Sequence, residues 1–157
     1  MSVGAVWYNT SMQKVSVKIK LFDTNLPVPA YQTPGAAAFD LYSRVEATIA
    51  PGETKAVPTG VAVQLPADFW LLVSARSSLF KRGLQLINGV GVIDADYCGN
   101  DDEIMVLLHN FSQETAQIKS GERLAQAVVM PRIQAIFEPV ETLECANRGG
   151  FGTTGAM

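Results

Sequence analysis

Two aspartates and a tyrosine fall within four positions of NGVGVIDADYCGN (residues 88–100), directly after a glycine-bracketed apolar run. Asp94 and Asp96 are proton acceptors, and Tyr97 offers a flat ring with a polar tip. A strand end facing solvent carries such residues for solubility; one facing a ligand uses them for chemistry. Three other segments hold the residue types that a phosphate requires. AAAFDLYS sets Asp40 in an apolar run, SARSSLF places Arg76, Ser77 and Ser78 where a strand is expected to pass into a helix, and GERLAQAVVM reads as a buried strand that nonetheless carries Arg123 and Gln126. A strand-to-helix junction presents free N–H groups and the positive end of a helix dipole. An arginine there adds a planar fork matched to phosphate oxygens. Each segment also has a plainer reading: Asp40 bonding amides at a strand edge, a serine capping the helix, and Arg123 and Gln126 partnered inside the fold.

The tail NRGGFGTTGAM (147–157) has little apolar surface with which to dock in its own core. Chain ends commonly fray. Yet glycines allow close backbone approach, and exposed N–H groups with hydroxyls can wrap a phosphate. Phe151 set among glycines, with Thr153 and Thr154 after it, favours the ligand-wrapping reading.

These residues need a scaffold, and 157 residues suffice for one domain with its own core. A hydrophobic fraction of 48% against 17% charged residues excludes a disordered chain. The net charge of -3 argues against a binder of nucleic-acid polymers, which needs a basic surface, but leaves room for a small phosphorylated ligand. Cys98 and Cys145 form no CxxC pair, and with the single His109 they give no zinc spacing. No apolar run approaches the roughly 20 residues of a membrane span, and MSVGAVWYNTSMQK lacks the layout of a secretion signal. The expectation is a soluble, intracellular (cytoplasmic) protein, with Met12 as an alternative start.

Short strands predominate. VSVKIKLF (15–22) alternates with period two, and AAFDLYS, ATIA, TKAVPTGVAVQL, FWLLVSA, LQLIN, GVGVID, EIMVLLHNF, AQIK, RLAQAVVM and AIFEPVE follow, separated by Gly, Pro, Asn and Ser. Many short strands with regular turns imply an all-β sandwich or barrel with Greek-key or jelly-roll connections. One helix of about two turns is expected at SSLFKRG (77–83). The chain divides into a loosely ordered lead-in (1–14), a β-barrel domain (15–146) and a glycine-rich arm (147–157).

Taken together and in order, AAAFDLYS, SARSSL, NGVGVIDADYCGN, GERLAQAVVMP and NRGGFGTTG resemble the five motifs of the trimeric deoxyuridine triphosphatases (dUTPases) and span about residues 36–155. The resemblance implies a distorted jelly-roll barrel assembled as a homotrimer. Each active site would take parts from three subunits, and the tail would close over a neighbour's site. The activity implied is Mg²⁺-assisted hydrolysis of dUTP to dUMP and diphosphate, which limits uracil in DNA and supplies dUMP for thymidylate synthesis. On this likeness NGVGVID is a β-hairpin, containing Asn88, Gly91 and Val92, whose backbone reads uracil. It rejects thymine for want of space and cytosine by its reversed donor and acceptor pattern.

The same resemblance makes Asp94 the carboxylate that activates water for attack on the α-phosphate. Tyr97 lies against the deoxyribose and excludes a 2′-hydroxyl, and Asp96 is structural. Arg76, Ser77 and Ser78 hold phosphate oxygens. Gln126 contacts the phosphate chain or the attacking water, while Asp40 fixes a metal-bound water or the site's arginines. Phe151 stacks on uracil, Gly152, Thr153 and Thr154 cradle the terminal phosphates, and Arg148 clamps them. Mg²⁺ is held by substrate phosphates and waters, not by a protein cage.

The chain departs from the family pattern at four places. Ser78 replaces a glycine, Cys98 replaces a polar or basic residue, GNDDEI is lengthened and so predicts a bulge, and Arg148 sits two positions nearer to GGFG. Three rivals are weighed: a dCTP deaminase, which needs a glutamate proton shuttle near the third motif where this chain has IDADY and Glu103 lies only beyond the turn; a non-catalytic nucleotide-binding module; and a purely structural jelly roll, which leaves the tail unexplained.

Overall fold

The computed structural model describes residues 14–147 and Gly149. The expectations for residues 1–13 and for Arg148, Phe151, Gly152, Thr153 and Thr154 lie outside the described residues.

Period-two alternation becomes eleven strands among the described residues: β1 (Lys18–Leu21), β2 (Phe39–Tyr42), β3 (Ala47–Ile49), β4 (Thr54–Pro58), β5 (Val61–Gln64), β6 (Phe69–Ala75), β7 (Leu84–Leu86), β8 (Val90–Ile93), β9 (Met105–Asn110), β10 (Ala116–Ile118) and β11 (Arg123–Pro131). The fold is all-β, and these strands pair antiparallel throughout. The largest sheet runs β2-β11-β6-β8; a second runs β4-β9-β7, and β1-β5 and β10-β3 form two-stranded pieces. The arrangement is the expected distorted jelly roll. On β9, Val106, Leu108 and Asn110 turn inward while Met105 and Leu107 face out. The inward residues join Leu41, Ile49, Val57, Leu71, Leu84 and Leu124 in one continuous core.

Three expectations change. The helix at 77–83 shrinks to a single 3-10 turn, Leu79–Arg82. Only Leu79 in it is buried, and Gly83 in the left-handed region ends it. AIFEPVE forms no strand: residues 131–147 lie exposed, with Ile133, Ile136 and Phe137 each about nine-tenths accessible. An extended segment needs a partner strand, and this one has none among the described residues of its own chain. The lengthened GNDDEI produces no bulge in β9, whose registers with β4 and β7 run without a shift. The extra residues are taken up by a turn in which the Asp102 carboxylate accepts the Gly99 N–H at 2.6 Å.

Gly83 is the tightest glycine among the described residues. Its φ is +69°, and an added Cβ would fall 2.3 Å from the Ser112 Cβ. Gly52 has a similar φ of +75° but open space around it. Gly52→Ala is therefore expected to cost only the left-handed strain, about 1–2 kcal/mol. Gly83→Ala adds the clash and should cost roughly 3 kcal/mol or more. Thermal unfolding of both variants checks this: equal losses would show that Ser112 moves aside freely.

Candidate active site

A β-bulge assembles the first half of the site. On a regular strand, Arg123 and Gln126 are an odd number of residues apart and would point to opposite faces. In β11 the register shifts between Arg123 and Ala125, so that Arg123 pairs with Tyr42 and Gln126 with Asp40. Tyr42 and Asp40 share a face of β2, and the bulge thus brings Arg123 and Gln126 to the same side. β6 completes the group, because Gln126 also faces Ser74, and Arg76 lies two residues further on, just past the end of that strand.

Asp40 is the hub. It is buried, and its two oxygens are taken separately: Arg76 Nε at 2.9 Å from Oδ1 and Arg123 Nη1 at 3.2 Å from Oδ2. Two guanidinium partners offset the desolvation of one carboxylate. Each arginine commits one nitrogen to Asp40 and keeps further N–H donors, and both side chains remain partly accessible. Gln126 donates through Nε2 to the Ala75 carbonyl at 3.3 Å, leaving its amide oxygen as an acceptor. Paired, partly open guanidiniums on a rigid sheet face form an anion-binding arrangement.

Ser77 and Ser78 follow Arg76 on the surface. Ser78 occupies the N-cap of the 3-10 turn without a side-chain capping bond. Neither serine capping nor a helix-dipole anion site is therefore realised, since one turn carries too little aligned dipole. The serine does fit where the family has glycine: its φ of −78° suits any residue.

The second half lies on β8. The run NGVGVID is not a paired hairpin. β7 joins β9, whereas β8 joins β6, and residues 87–89 turn between the two sheets. Gly89 takes φ +70° there, and the Val90 N–H reaches the Asn88 carbonyl at 2.8 Å. Gly91 faces Val73, where an added Cβ would stand 3.2 Å from the valine Cβ. Asn88, Val90 and Val92 are exposed, so the strand offers an open edge and a shallow apolar face. Asp94 leaves β8 exposed, and its carbonyl accepts the Tyr97 N–H at 3.2 Å in a tight turn. Tyr97 is 40% exposed, with its hydroxyl anchored on the Glu103 carbonyl at 3.1 Å. Asp96 is exposed as well.

Within one chain the two halves do not meet. Ile93 pairs with Leu71 and Val90 with Ser74, so Asp94 exits at the level of Trp70. Arg76, one residue past the end of β6, lies six residues from Trp70 in the other direction, about 20 Å away at strand spacing. Asp40, Arg76, Arg123 and Gln126 form one cluster; Asp94 and Tyr97 stand apart from it.

Glu103, which lies beyond the turn that follows IDADY, is fully engaged. Its Oε1 accepts Arg44 Nε at 2.8 Å and the Gly60 N–H at 2.7 Å, and its Oε2 accepts Arg44 Nη2 at 2.8 Å. The hydrogen bonds that Arg44 donates to Glu103, then the Glu103 charge, raise the Arg44 pKa above the ordinary guanidinium value against the opposing effect of burial. No cluster of three or more acidic, cysteine or histidine side chains capable of caging a metal occurs among the described residues. Cys98 and Cys145 are free and exposed.

The dUTPase family model matches residues 24–155. The deoxyuridine 5'-triphosphate nucleotidohydrolase of Nautilia profundicola is 44% identical over 144 residues, covering 90% of this chain and 99% of the relative. The crystal structure of dUTPase from Streptococcus mutans superposes with a TM-score of 0.69 at 34% identity, covering 76% of this chain and 98% of that one. A Staphylococcus bacteriophage 80alpha dUTPase G164S mutant solved with dUpNHpp gives a TM-score of 0.78 at 23% identity, covering 90% and 99%, and shares the fold.

Proposed function

The chain belongs to the dUTPase family and is a dUTP diphosphatase, releasing dUMP and diphosphate, and we propose that Asp94 activates the attacking water while the Asp40-anchored arginines hold the phosphates. The observation that carries this reading is the pair of partly open guanidiniums, Arg76 and Arg123, fixed on one buried carboxylate. Phosphate oxygens match the remaining N–H donors. Ser77 and Ser78 add hydroxyls beside them, and Gln126 offers its amide to the phosphate chain or the water. An exposed Asp94 is free to take a proton from water aimed at the α-phosphate.

Asn88, Gly91 and Val92 present the edge that recognises uracil, and Tyr97 lies against the deoxyribose. Arg148, Phe151, Gly152, Thr153 and Thr154 close the site from the arm. The proposed assembly is a homotrimer, the usual state of dUTPases, with sites shared between subunits. Two features support sharing: the span of about 20 Å between Asp94 and Arg76 in one chain, and the exposed apolar stretch at Ile133, Ile136 and Phe137, which leads towards the arm.

Mg²⁺ fits as a substrate-borne ion. The described residues offer no cage, and both Asp40 oxygens are engaged by arginines; substrate phosphates and waters would supply its ligands. Bound there, it neutralises triphosphate charge. Among the described residues no helix is long and apolar enough to cross a membrane.

Phosphorus NMR of the purified protein with Mg²⁺ and dUTP, dCTP, dTTP or UTP tests the assignment. Diphosphate is expected from dUTP, with the other three left intact. Comparable release from UTP or dTTP would remove the sugar or base filter. A base-resolved chromatogram of the dCTP sample checks for deamination, which the lack of a glutamate in IDADY opposes. dUTP binding without cleavage would leave the non-catalytic module.

A further inference from the structure

The Tyr97 ring is held at its tip by a residue that is itself fastened to Arg44 and to the turn between β4 and β5. Its hydroxyl donates to the Glu103 carbonyl, while the Glu103 carboxylate is gripped by two nitrogens of the Arg44 guanidinium fork and by the Gly60 N–H. The pair joins positions 59 residues apart in sequence. Arg44 is in turn fixed along its backbone, where its N–H donates to the Pro58 carbonyl at 2.8 Å and its carbonyl accepts the Ser120 hydroxyl at 3.1 Å. The next residue, Ile104, repeats the attachment: its carbonyl accepts both the N–H and the hydroxyl of Thr59, and its N–H reaches the Val61 carbonyl.

The receiving turn is hydrogen-bonded at Thr59 and at Gly60. Gly60 takes φ +78°, and an added Cβ would lie 2.9 Å from the Leu26 Cδ1. Between the ring and the brace, the turn 99–102 is closed by the Asp102–Gly99 bond, and Lys20 donates to the Asn100 carbonyl. The segment that follows the proposed catalytic aspartate is thus referenced to β4, β5 and the Arg44 loop, not to β8 alone.

We infer that Arg44 and Glu103 are positioning residues for sugar discrimination: their ion pair sets the height of the Tyr97 ring and so the space left at the 2′ carbon. The inference rests on the placement of Tyr97 against the deoxyribose. A side chain that is 40% exposed has freedom to tilt. Its one anchored atom is the hydroxyl, and a small shift of the Glu103 carbonyl carries the ring with it. Excluding one oxygen atom is a sub-ångström matter, and misplacement by about 1 Å changes rates by up to roughly 100-fold.

The experiment measures the ratio of kcat/KM for dUTP to that for UTP. Glu103→Gln keeps an acceptor for Gly60 but loses half of the grip on Arg44, and Arg44→Lys loses the fork. Each is expected to lower the ratio about ten-fold, through a rise for UTP and with little change in kcat for dUTP. Tyr97→Phe should lower it similarly. Glu103→Gln combined with Tyr97→Phe should lower it no further, because both act through one hydrogen bond.

A merely structural pair would slow both nucleotides together and leave the ratio at its wild-type value. That result in folded variants overturns the inference, as does full additivity with Tyr97→Phe. Should a single variant fail to fold, Arg44→Met with Glu103→Gln leaves no buried charge uncompensated and is read in the same way. Tyr97→Ala separates the two levels. An unchanged ratio there would mean that the sugar is read elsewhere; a collapsed ratio beside unaffected Arg44 and Glu103 variants would sink the brace alone.

Discussion

Asp94→Asn is expected to lower dUTP turnover by about 10²–10⁴-fold while leaving the fold and dUTP binding in place. The substitution is nearly isosteric, and Asp94 is an exposed residue at the exit of β8, whose backbone carbonyl, not its side chain, closes the turn to Tyr97. The buried ion pairs of the barrel do not involve it: Asp40 holds Arg76 and Arg123, and Glu103 holds Arg44. What asparagine removes is the capacity to take a proton from water. The loss should therefore appear in kcat, with the affinity for a non-hydrolysable dUTP analogue preserved, the pattern of an interaction used in the transition state. Single-turnover kinetics and calorimetric titration of the analogue check the two halves separately. Wild-type kcat would take Asp94 out of the mechanism; preserved kcat with lost affinity would make it a binding residue.

Much of this architecture is legible because half-buried strands must alternate. FWLLVSA becomes β6 residue for residue, and EIMVLLHNF yields β9 with alternate side chains buried. Alternation fails where a segment finds no partner strand. AIFEPVE has the composition of a strand, yet Ile136 is almost wholly exposed, because no neighbour among the described residues pairs with it. The helix expected at 77–83 shortens for a related reason: apolar residues next to good helix formers suggest two turns, but Phe80 has no core to enter and Gly83 stops the chain.

Within the site, Asp40 and Arg76 stand out as charges beside apolar runs. Arg123 is visible as a polar residue in a buried strand, but its part in the cluster depends on a one-residue register shift that no composition announces. NGVGVID is likewise expected to be a hairpin, on the family resemblance alone. Only the pairing partners, β9 for β7 and β6 for β8, show it to be a crossing between sheets. The Arg44–Glu103 link is hidden for the same reason as the bulge: it is a property of long-range contact.

Two inactive variants should together regain activity. Deleting the residues after Arg148 is expected to abolish most dUTP turnover without disturbing assembly, since the core ends well before the arm and Leu124, Ala125 and Ala127 are the last fully buried apolar residues among those described. Asp94→Asn is inactive for a different reason and keeps its arm. If Asp94 and the arm reach one site from different subunits, unfolding a 1:1 mixture and refolding it creates sites with an intact Asp94 from one chain and an intact arm from another. Random assortment in a symmetric trimer makes roughly a quarter of the sites complete. If both parts came from the same chain, every site in every mixed trimer would lack one of them, and activity would stay at the level of the parents. Native mass spectrometry establishes that mixed trimers have formed, and phosphorus NMR reads the turnover. Strand register adds a separate ground for shared sites: β8 carries Asp94 away from Arg76 along β6, so on the proposed reading Asp94 meets the arginines of another copy.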